Sequence, residues 1–322
     1  MDLTKHATTL GSHLKHRWGE RVHKVSINAA FTCPNRDGTK GIGGCTFCNN
    51  ASFSPSDRKI VTPVSEQVLA GQKVIIKRTG AKKYLAYFQS YTNTYAEINY
   101  LRELYESALN SPNVIGLSVG TRPDCVPDAV LDLLQSYQQQ GHEVWLELGL
   151  QSSFDESLQR VNRGHGFAEY VDAVKRARKR GIQVCTHLIA GMPGEKPEDT
   201  LLSLEKVLAL GTDGLKIHPL HVVKGTQLAR EWKRGEYQPM SQQEYVRLVA
   251  EIIRRTPKSI IFHRFTGTAS EELLLAPAWC SKKWVVLNDI CIALENRCVY
   301  NSPIQETKYN KINTSNALYD AN

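Results

Sequence analysis

The sequence predicts an α/β protein built on a partial (β/α)6, TIM-like barrel with a C-terminal extension. Short apolar runs alternate with amphipathic stretches along most of the chain, which is typical of repeated strand–helix units. Some apolar runs are continuous, as in Val114–Val119, and such runs indicate parallel strands that are covered on both faces. Six strands in series fit a three-quarter barrel better than a closed eightfold one, although a doubly wound open sheet would give the same periodicity.

The strands and helices of the barrel follow one another in a regular order. The predicted strands are Arg21–Ile27, Tyr84–Phe88, Val114–Val119, Glu143–Leu150, Gln183–Ile189 and Gly214–His218. The predicted helices between them are Val64–Arg78, Tyr95–Asn110, Val126–Gln140, Phe154–Arg160 with Ala168–Arg180, and Lys196–Leu210. The barrel is therefore expected over residues 21–235, behind an N-terminal helical segment of residues 1–20.

The regular alternation ends at about Gly225. The predicted elements beyond it are a helix at Ser241–Arg254, a short strand at Ser259–Phe262, an irregular segment at Ala276–Trp284 and a helix at Trp284–Asn296. We expect residues 236–300 to form an extension packed on the barrel. Residues 301–322 are polar and aperiodic, so they are expected to form a flexible tail.

Composition narrows the class of protein. Hydrophobic residues make up 41% of the 322, which is enough for a large core, and no run of apolar residues is long enough to span a membrane. The N-terminus lacks the apolar region of a signal peptide, so a cytoplasmic location is expected. Thiols stay reduced there, which favours metal ligands or buried thiols over disulfides for the eight cysteines.

The net charge of +8 favours a polyanionic partner, nucleic acid above all, although many basic enzymes bind none.

The sharpest local feature is a glycine-rich loop that carries Cys33, Cys45 and Cys48 directly after the first predicted strand. In a β/α barrel, loops after strands face the catalytic end. Thiolates suit iron–sulfur clusters and zinc. A structural zinc site needs four ligands, so it would require a histidine such as His23 in addition. The remaining cysteines stand alone in the sequence: Cys125, Cys185, Cys280, Cys291 and Cys298.

The cysteine loop resembles the cluster loop of radical S-adenosylmethionine (SAM) enzymes, in the long-spaced variant with eleven residues between the first two cysteines. That spacing is similar to the one in the Elongator catalytic subunit and its relatives. Further segments resemble the same group in the same order: Gly120-Thr-Arg-Pro-Asp124, Glu147-Leu-Gly-Leu-Gln-Ser152, Arg163-Gly-His165, Leu188-Ile-Ala-Gly-Met-Pro-Gly-Glu195 and Lys216-Ile-His-Pro-Leu-His221. Together they resemble the YhcC/YtqA type of bacterial radical SAM protein, over roughly residues 5–284.

The resemblance implies one 4Fe-4S cluster on the three loop cysteines, with an open iron that binds SAM. An electron from a flavodoxin- or ferredoxin-type donor would then cleave SAM to a 5′-deoxyadenosyl radical, which abstracts hydrogen from the substrate. It also implies a tRNA wobble-uridine side chain of the carboxymethylaminomethyl type as substrate. A small metabolite, a peptide, and a non-catalytic iron–sulfur sensor or RNA-binding module stay as alternatives.

Side chains at the predicted strand ends are candidates for cofactor binding. By the resemblance, Gln151 and Arg163 contact SAM, Met192 shapes the loop beneath adenine, and the segment of Gln89, Ser90, Tyr91 and Thr92 occupies the place of the SAM amino-group segment without its usual Gly-Gly-Glu. Phe47 is either a stacking neighbour of adenine or a cover over the cluster.

Other candidates have a structural alternative. Glu147 lies in a strand of apolar residues, where a carboxylate needs a ligand or an ion pair. Arg122 could contact the cofactor or pair with Asp124, and His187 ranks with His218 and His221 as a pocket residue. Cys125 and Cys280 are candidates for catalysis as hydrogen donors, against simple burial.

Overall fold

The computed structural model describes residues 2–49 and 62–296, and its centre is a sheet of eight parallel strands. These strands are β1 (Thr8–Thr9), β2 (Val22–Ile27), β3 (Lys83–Phe88), β4 (Val114–Thr121), β5 (Glu143–Gln151), β6 (Gln183–Ala190), β7 (Gly214–Pro219) and β9 (Ile261–Arg264). Two short strands, β8 (Val222–Val223) and β10 (Leu274–Ala276), pair with each other in antiparallel fashion.

Helices connect the strands and cover the outside of the sheet. They are α1 (Leu10–Trp18), α2 (Val64–Thr79), α3 (Ile98–Leu109), α4 (Asp128–Gln139), α5 (Asp155–Arg160), α6 (Phe167–Lys179), α7 (Pro197–Ala209), α8 (Gln227–Lys233), α9 (Gln242–Arg255) and α10 (Lys283–Glu295). Most long helices bury an apolar stripe against the strands, as Leu101 and Tyr105 do on α3, while α10 packs on α9. This burial is what holds the helices to the sheet.

The order of the strands distinguishes a barrel from a doubly wound sheet. The order is β1-β9-β7-β6-β5-β4-β3-β2, so every strand from β2 to β7 adds to the same side of its predecessor. A doubly wound sheet would reverse direction at a switch point. The partial barrel predicted from the sequence is therefore confirmed.

The sheet is strongly curled. Lys24 on β2 and His263 on β9 lie six strands apart, which would be about 29 Å in a flat sheet. Their side-chain nitrogens, Nζ and Nδ1, are only 3.2 Å apart. Side chains from both flanks of the sheet therefore meet on the axis of the partial barrel.

The sequence predicted six strands in the barrel and a short strand beyond it, and the structure has eight strands in the main sheet. The strand expected at Ser259–Phe262 is β9, which pairs with β7 and so continues the barrel instead of belonging to an appended unit. At the edge, β1 pairs with β9 through two residues of the segment expected to be helical. Strands this short carry too few residues for a period to be visible.

The C-terminal elements follow the prediction closely. The helix expected at Trp284–Asn296 is α10, and the irregular segment before it contains a single 3-10 turn at Ala278–Ser281. The tail expected at 301–322, and Cys298, lie outside the described residues. Among the described residues, no helix has the length and apolar character needed to cross a membrane.

Candidate functional site

The cysteine loop leaves the carboxyl end of β2 and folds back on itself. The amide of Arg36 donates to the carbonyl of Cys33 at 2.7 Å, and the amide of Cys48 donates to the carbonyl of Cys45 at 2.9 Å. The Arg36 guanidinium also donates to the carbonyl of Cys48 at 2.6 Å. Gly44, with φ +85°, lies against this guanidinium, and a Cβ there would be 2.8 Å from Arg36 Nε. The loop thus holds the three cysteines in one compact turn.

Cationic and polar groups surround the sulfur atoms. Arg122 Nη1 is 4.0 Å from the Sγ of Cys33, and Arg163 Nη1 is 3.7 Å from the Sγ of Cys45. The buried amide Nδ2 of Asn35 lies 3.8 Å from the same Cys45 sulfur. Positive charge and N–H donors next to sulfur stabilise thiolates and the sulfur atoms of a cluster.

The three thiols also influence one another. Burial raises the pKa of the Cys48 thiol, and the neighbouring charge of Cys45 raises it further, while Arg36 acts in the opposite direction. Three ligands that disfavour each other's charge need a cation to hold them together as thiolates. The donor set therefore fits a metal centre.

The zinc alternative does not fit this geometry. His23 lies near the start of β2, at the opposite end of the strand from the cysteine loop, and it is exposed. The one described group of three ligand atoms that lie within 4.8 Å of each other does not include any loop cysteine. The loop sulfurs are thus spread more widely than ligands of a single ion, as they would be around a cluster.

A cavity of about 170 Å³ adjoins the three cysteines, and we call it the cluster cavity. Its lining also includes Phe47, Gln89, Tyr91, Thr92, Arg122, Gln151, Arg163 and His187. Two buried polar atoms in it, Thr92 Oγ1 and Arg163 Nε, have no hydrogen-bond partner among the described residues. Buried polar atoms are nearly always satisfied, so these two indicate a bound polar molecule. The cavity therefore fits a cofactor that carries amino and carboxylate groups.

The backbone around the cluster cavity is strained at two non-glycine residues. Tyr91 has φ +67° and Gln151 has φ +81°. Side chains other than glycine rarely adopt such values, and residues that do so cluster at functional sites. At Gln151 this conformation coincides with an irregular register between β5 and β6, which turns the end of β5 into the cavity.

A second cavity of about 190 Å³ continues from the first, and we call it the substrate cavity. Four side chains line both cavities: Phe47, Gln89, Gln151 and His187. The substrate cavity adds polar groups from three strands, β3, β7 and β9, and the loops that follow them: Tyr87, Ser90, Lys216, His218, His221 and Arg264. The two cavities form one path from the cysteines to the barrel axis.

The floor of this path is a buried ionic network centred on Glu147, whose side chain is 0% exposed. Lys24 forms an ion pair with Oε1 of Glu147, and Lys216 Nζ lies 2.8 Å from Oε2. His187 Nε2 is 2.7 Å from the same Oε2, and His263 Nδ1 is 3.4 Å from Oε1. The carboxylate is therefore paired on every side, as a buried charge requires.

The pKa values of this network follow from burial and from the two ammonium groups. Burial alone would raise the pKa of Glu147, but Lys216 and Lys24 outweigh it and hold that pKa well below its usual value. Burial, with the charge of Lys24 in addition, lowers the pKa of Lys216 to about 8, although Glu147 opposes the shift. Burial and the charge of Lys216 lower the pKa of His187 to about 4. At neutral pH the histidine is therefore uncharged.

Acid is expected to destabilise the fold through buried histidines. Burial lowers the pKa of His187 and His221 to about 4 and that of His263 to about 3. Below about pH 6.5 the unfolded chain binds protons that the folded chain does not, so stability falls as the pH drops towards 4. Each histidine contributes a slope of up to about 1.4 kcal/mol per pH unit.

Denaturant unfolding at pH 7, 6 and 5 measures this slope. The His187→Gln variant should have a shallower decline than the parent, whereas the exposed His23→Gln variant should match the parent. A free energy of unfolding that stays level from pH 7 to pH 5 would contradict the burial of neutral histidines.

The structure brings most of the predicted site residues together. Eleven of the fifteen line the cluster cavity, the substrate cavity or both: Cys33, Cys45, Cys48, Phe47, Gln89, Ser90, Tyr91, Arg122, Gln151, Arg163 and His187. Arg122 also forms the salt bridge with Asp124, at 2.9 Å, that the sequence offered as its alternative. The two roles are compatible because the guanidinium has several N–H groups.

Four predicted site residues lie elsewhere. Glu147 lies beneath the cavities and takes the ion-pair role instead of a cofactor contact. Met192 is buried in an apolar cluster with Ile189 and Leu220, against which Phe47 packs, so it supports the site from behind.

The two cysteines proposed for catalysis are also outside both cavities. Cys125 follows Asp124 in a 3-10 turn and lines a separate surface groove, and burial raises the pKa of its thiol to about 12. Cys280 is 1% exposed, and burial raises its pKa as well. Neither cysteine lines the cluster cavity or the substrate cavity, which favours the burial alternative, and the catalytic role of both stays a prediction.

Several residues of the site were not predicted from the sequence. Lys24, Lys216 and Arg264 reach the axis from three different strands, and Asn35 lies beside the cysteines. Lys24 and Lys216 could have been found, because a lysine within a strand that is otherwise largely apolar needs a buried partner. Which carboxylate that partner would be depends on the curl of the sheet.

Two family models and two bacterial relatives match this chain. Residues 32–207 match the model of the radical SAM superfamily, and residues 212–296 match the Radical SAM C-terminal domain. The chain is 47% identical to Protein YhcC of Escherichia coli over 94% of this chain and 97% of that protein. It is 39% identical to YtqA of Bacillus subtilis over 91% of this chain and 90% of that protein.

More distant similarities cover part of the chain. A tRNA uridine(34) acetyltransferase of Dehalococcoides mccartyi is 31% identical over 47% of this chain and 32% of that protein. The solved structure of the archaeal Elp3 from Methanocaldococcus infernus aligns with a TM-score of 0.56 at 21% identity, over 75% of this chain and 55% of that one. That structural likeness supports the fold.

Proposed function

The chain belongs to the radical SAM superfamily, whose members use a 4Fe-4S cluster and SAM, and from this premise we propose that it is an enzyme that modifies a uridine side chain in tRNA. The observation that carries the proposal is the continuous path from the three cysteines, through the cluster cavity, into the polar substrate cavity. A binding protein without turnover would not need a second polar cavity that continues from the one beside its cluster.

Each part of the cofactor has matching residues at the site. Cys33, Cys45 and Cys48 would hold the cluster, and Arg163 and Thr92 would bind the amino-acid portion of SAM through their unpartnered atoms. When bound, the reduced cluster and SAM supply a carbon-centred radical that abstracts hydrogen from substrate. We propose a flavodoxin- or ferredoxin-type protein as the electron donor.

The chain's own residues position the reactants and exclude water. Phe47 packs against an apolar cluster that contains Ile189 and Leu220, and it lines both cavities. Glu147 holds the imidazole of His187 at 2.7 Å, which fixes the orientation of a ring shared by both cavities. Side chains that line the path in this way limit the contact of solvent with a reactive species.

The choice of tRNA rests on charge and on relatives. The chain carries a net charge of +8, which favours a polyanionic substrate. The partial relative from Dehalococcoides mccartyi is named for tRNA uridine 34. We propose the wobble uridine as the target and a carboxymethylaminomethyl-type group as the side chain that is remodelled.

The decisive experiment measures 5′-deoxyadenosine formed by anaerobically reconstituted protein with dithionite and SAM. Addition of tRNA from cells that lack the homologous protein should increase its formation several-fold over fully modified tRNA, and mass spectrometry should reveal a changed wobble nucleoside.

Other outcomes would lead to different functions. If no tRNA stimulates the formation of 5′-deoxyadenosine but an extract of metabolites or peptides does, the proposed substrate becomes a metabolite or a peptide. Iron-loaded protein that never forms 5′-deoxyadenosine would overturn the enzyme proposal in favour of an iron–sulfur sensor or an RNA-binding module.

A further inference from the structure

The substrate cavity has an excess of positive charge. Lys216 and Arg264 both line it, and no aspartate or glutamate is among its described lining residues. The carboxylate that lies nearest, Glu147, is beneath the floor and is shared by Lys24 and Lys216. Two lysines therefore share a single carboxylate, and Arg264 adds a further positive charge to the cavity lining.

Lys216 has bonding capacity left over. An ammonium group has three N–H bonds. One is directed at Tyr87 Oη and a second at Glu147 Oε2, at 2.8 Å. The third N–H has no hydrogen-bond partner among residues 2–49 and 62–296, and the Lys216 side chain is only 5% exposed. This N–H is available to a ligand in the cavity.

The guanidinium of Arg264 makes no hydrogen bond or ion pair with any residue that the structure describes, although other arginines of the site are bonded. Its charge acts on Lys216, His218 and His221 across the cavity. An unpaired guanidinium close to a buried ammonium is unfavourable unless an anion separates them. The geometry of the guanidinium suits a bidentate contact with an oxyanion.

We propose that Lys216 and Arg264 bind an anionic oxygen substituent of the substrate, a carboxylate or a phosphate, inside the substrate cavity. This inference rests on the proposed function. The carboxylate of SAM has a separate location, since Arg122 and Arg163 line the cluster cavity beside the cysteines. Glu147 is then a positioning residue, which keeps Lys216 charged and directed towards the anion.

The experiment compares two synthetic anticodon stem-loop RNAs that differ only at the wobble base. One carries 5-carboxymethylaminomethyluridine and the other 5-aminomethyluridine, so their phosphates are identical. Binding to the reconstituted full chain is measured by fluorescence anisotropy with SAM present. The parent should bind the carboxylate RNA roughly 10- to 100-fold more tightly, as expected for a charge-assisted contact.

Variants of Arg264 test whether this residue makes the contact with the carboxylate. Arg264→Gln should lose most of the preference, since only Lys216 then contacts the carboxylate, and Arg264→Lys should keep a larger part of it because it retains the charge. Arg102→Gln, which replaces a half-exposed arginine of α3, should behave like the parent. Affinity for SAM should be unchanged in every variant. Parental preference in Arg264→Gln would overturn the assignment.

The outcomes separate this inference from the proposed function. If the parent binds both RNAs tightly and equally, the carboxylate site is overturned and the RNA substrate stands. If it binds neither RNA, the RNA substrate is overturned, and the anion site is tested by thermal shift with N-acetylglycine and with inorganic phosphate. Protection by either anion that disappears in Arg264→Gln supports the site and identifies its chemistry, whereas absence of protection overturns it.

Discussion

Simultaneous replacement of Cys33, Cys45 and Cys48 by alanine is expected to reduce bound iron from about four atoms per chain to almost none and to abolish formation of 5′-deoxyadenosine. These sulfurs share one loop, and they are the described cysteines that line the cluster cavity. Without them, Arg163 loses the sulfur that it faces, and Arg122 keeps only its ion pair with Asp124. Iron and sulfide analysis, with the absorbance of the reconstituted protein, measures the loss.

Matched controls use the buried cysteines outside the cavities. Cys125→Ser and Cys280→Ser should each retain the parental iron content, because both thiols lie apart from the cysteine loop's cavity. Retention of iron by the triple variant would contradict the site. About eight iron atoms per parental chain would contradict the expectation of one cluster.

The largest effect on stability is expected from Glu147→Gln. The amide has nearly the same shape but no charge, so Lys24 and Lys216 lose their shared partner while they stay buried. Removal of one member of a buried ion pair costs about 3–5 kcal/mol. Equilibrium unfolding in denaturant at pH 7 measures the change in the free energy of unfolding.

An exposed pair supplies the control for this effect. Glu106 lies 3.8 Å from Arg102 on the surface of α3, so Glu106→Gln should change the free energy of unfolding by less than about 1 kcal/mol. In the double variant Glu147→Gln/Lys216→Met, one of the unpaired charges is also removed, so it should be more stable than Glu147→Gln alone. Equal stability of Glu147→Gln and the parent would mean that the network is not a buried charge cluster.

Local patterns in the sequence were sufficient for most of the barrel. The helices α2, α4, α6 and α7 and the strands β2 to β7 were predicted to within a few residues, because apolar runs and amphipathic periods extend over eight residues or more in many of them. The short strands β1 and β9 were not placed in the sheet, since pairing partners are not encoded in two- to four-residue segments.

The candidate site also has one part that the sequence determined and another part that only the tertiary structure decided. The sequence by itself determined the cysteine loop and the segments that reach the cluster cavity, because loops after parallel strands must meet at one end of the sheet. Only the tertiary structure decided that Glu147 pairs with Lys24, Lys216, His187 and His263, and that Cys125 and Cys280 line neither cavity. The physical reason is the curl of the sheet, which brings together side chains up to 239 positions apart in the chain.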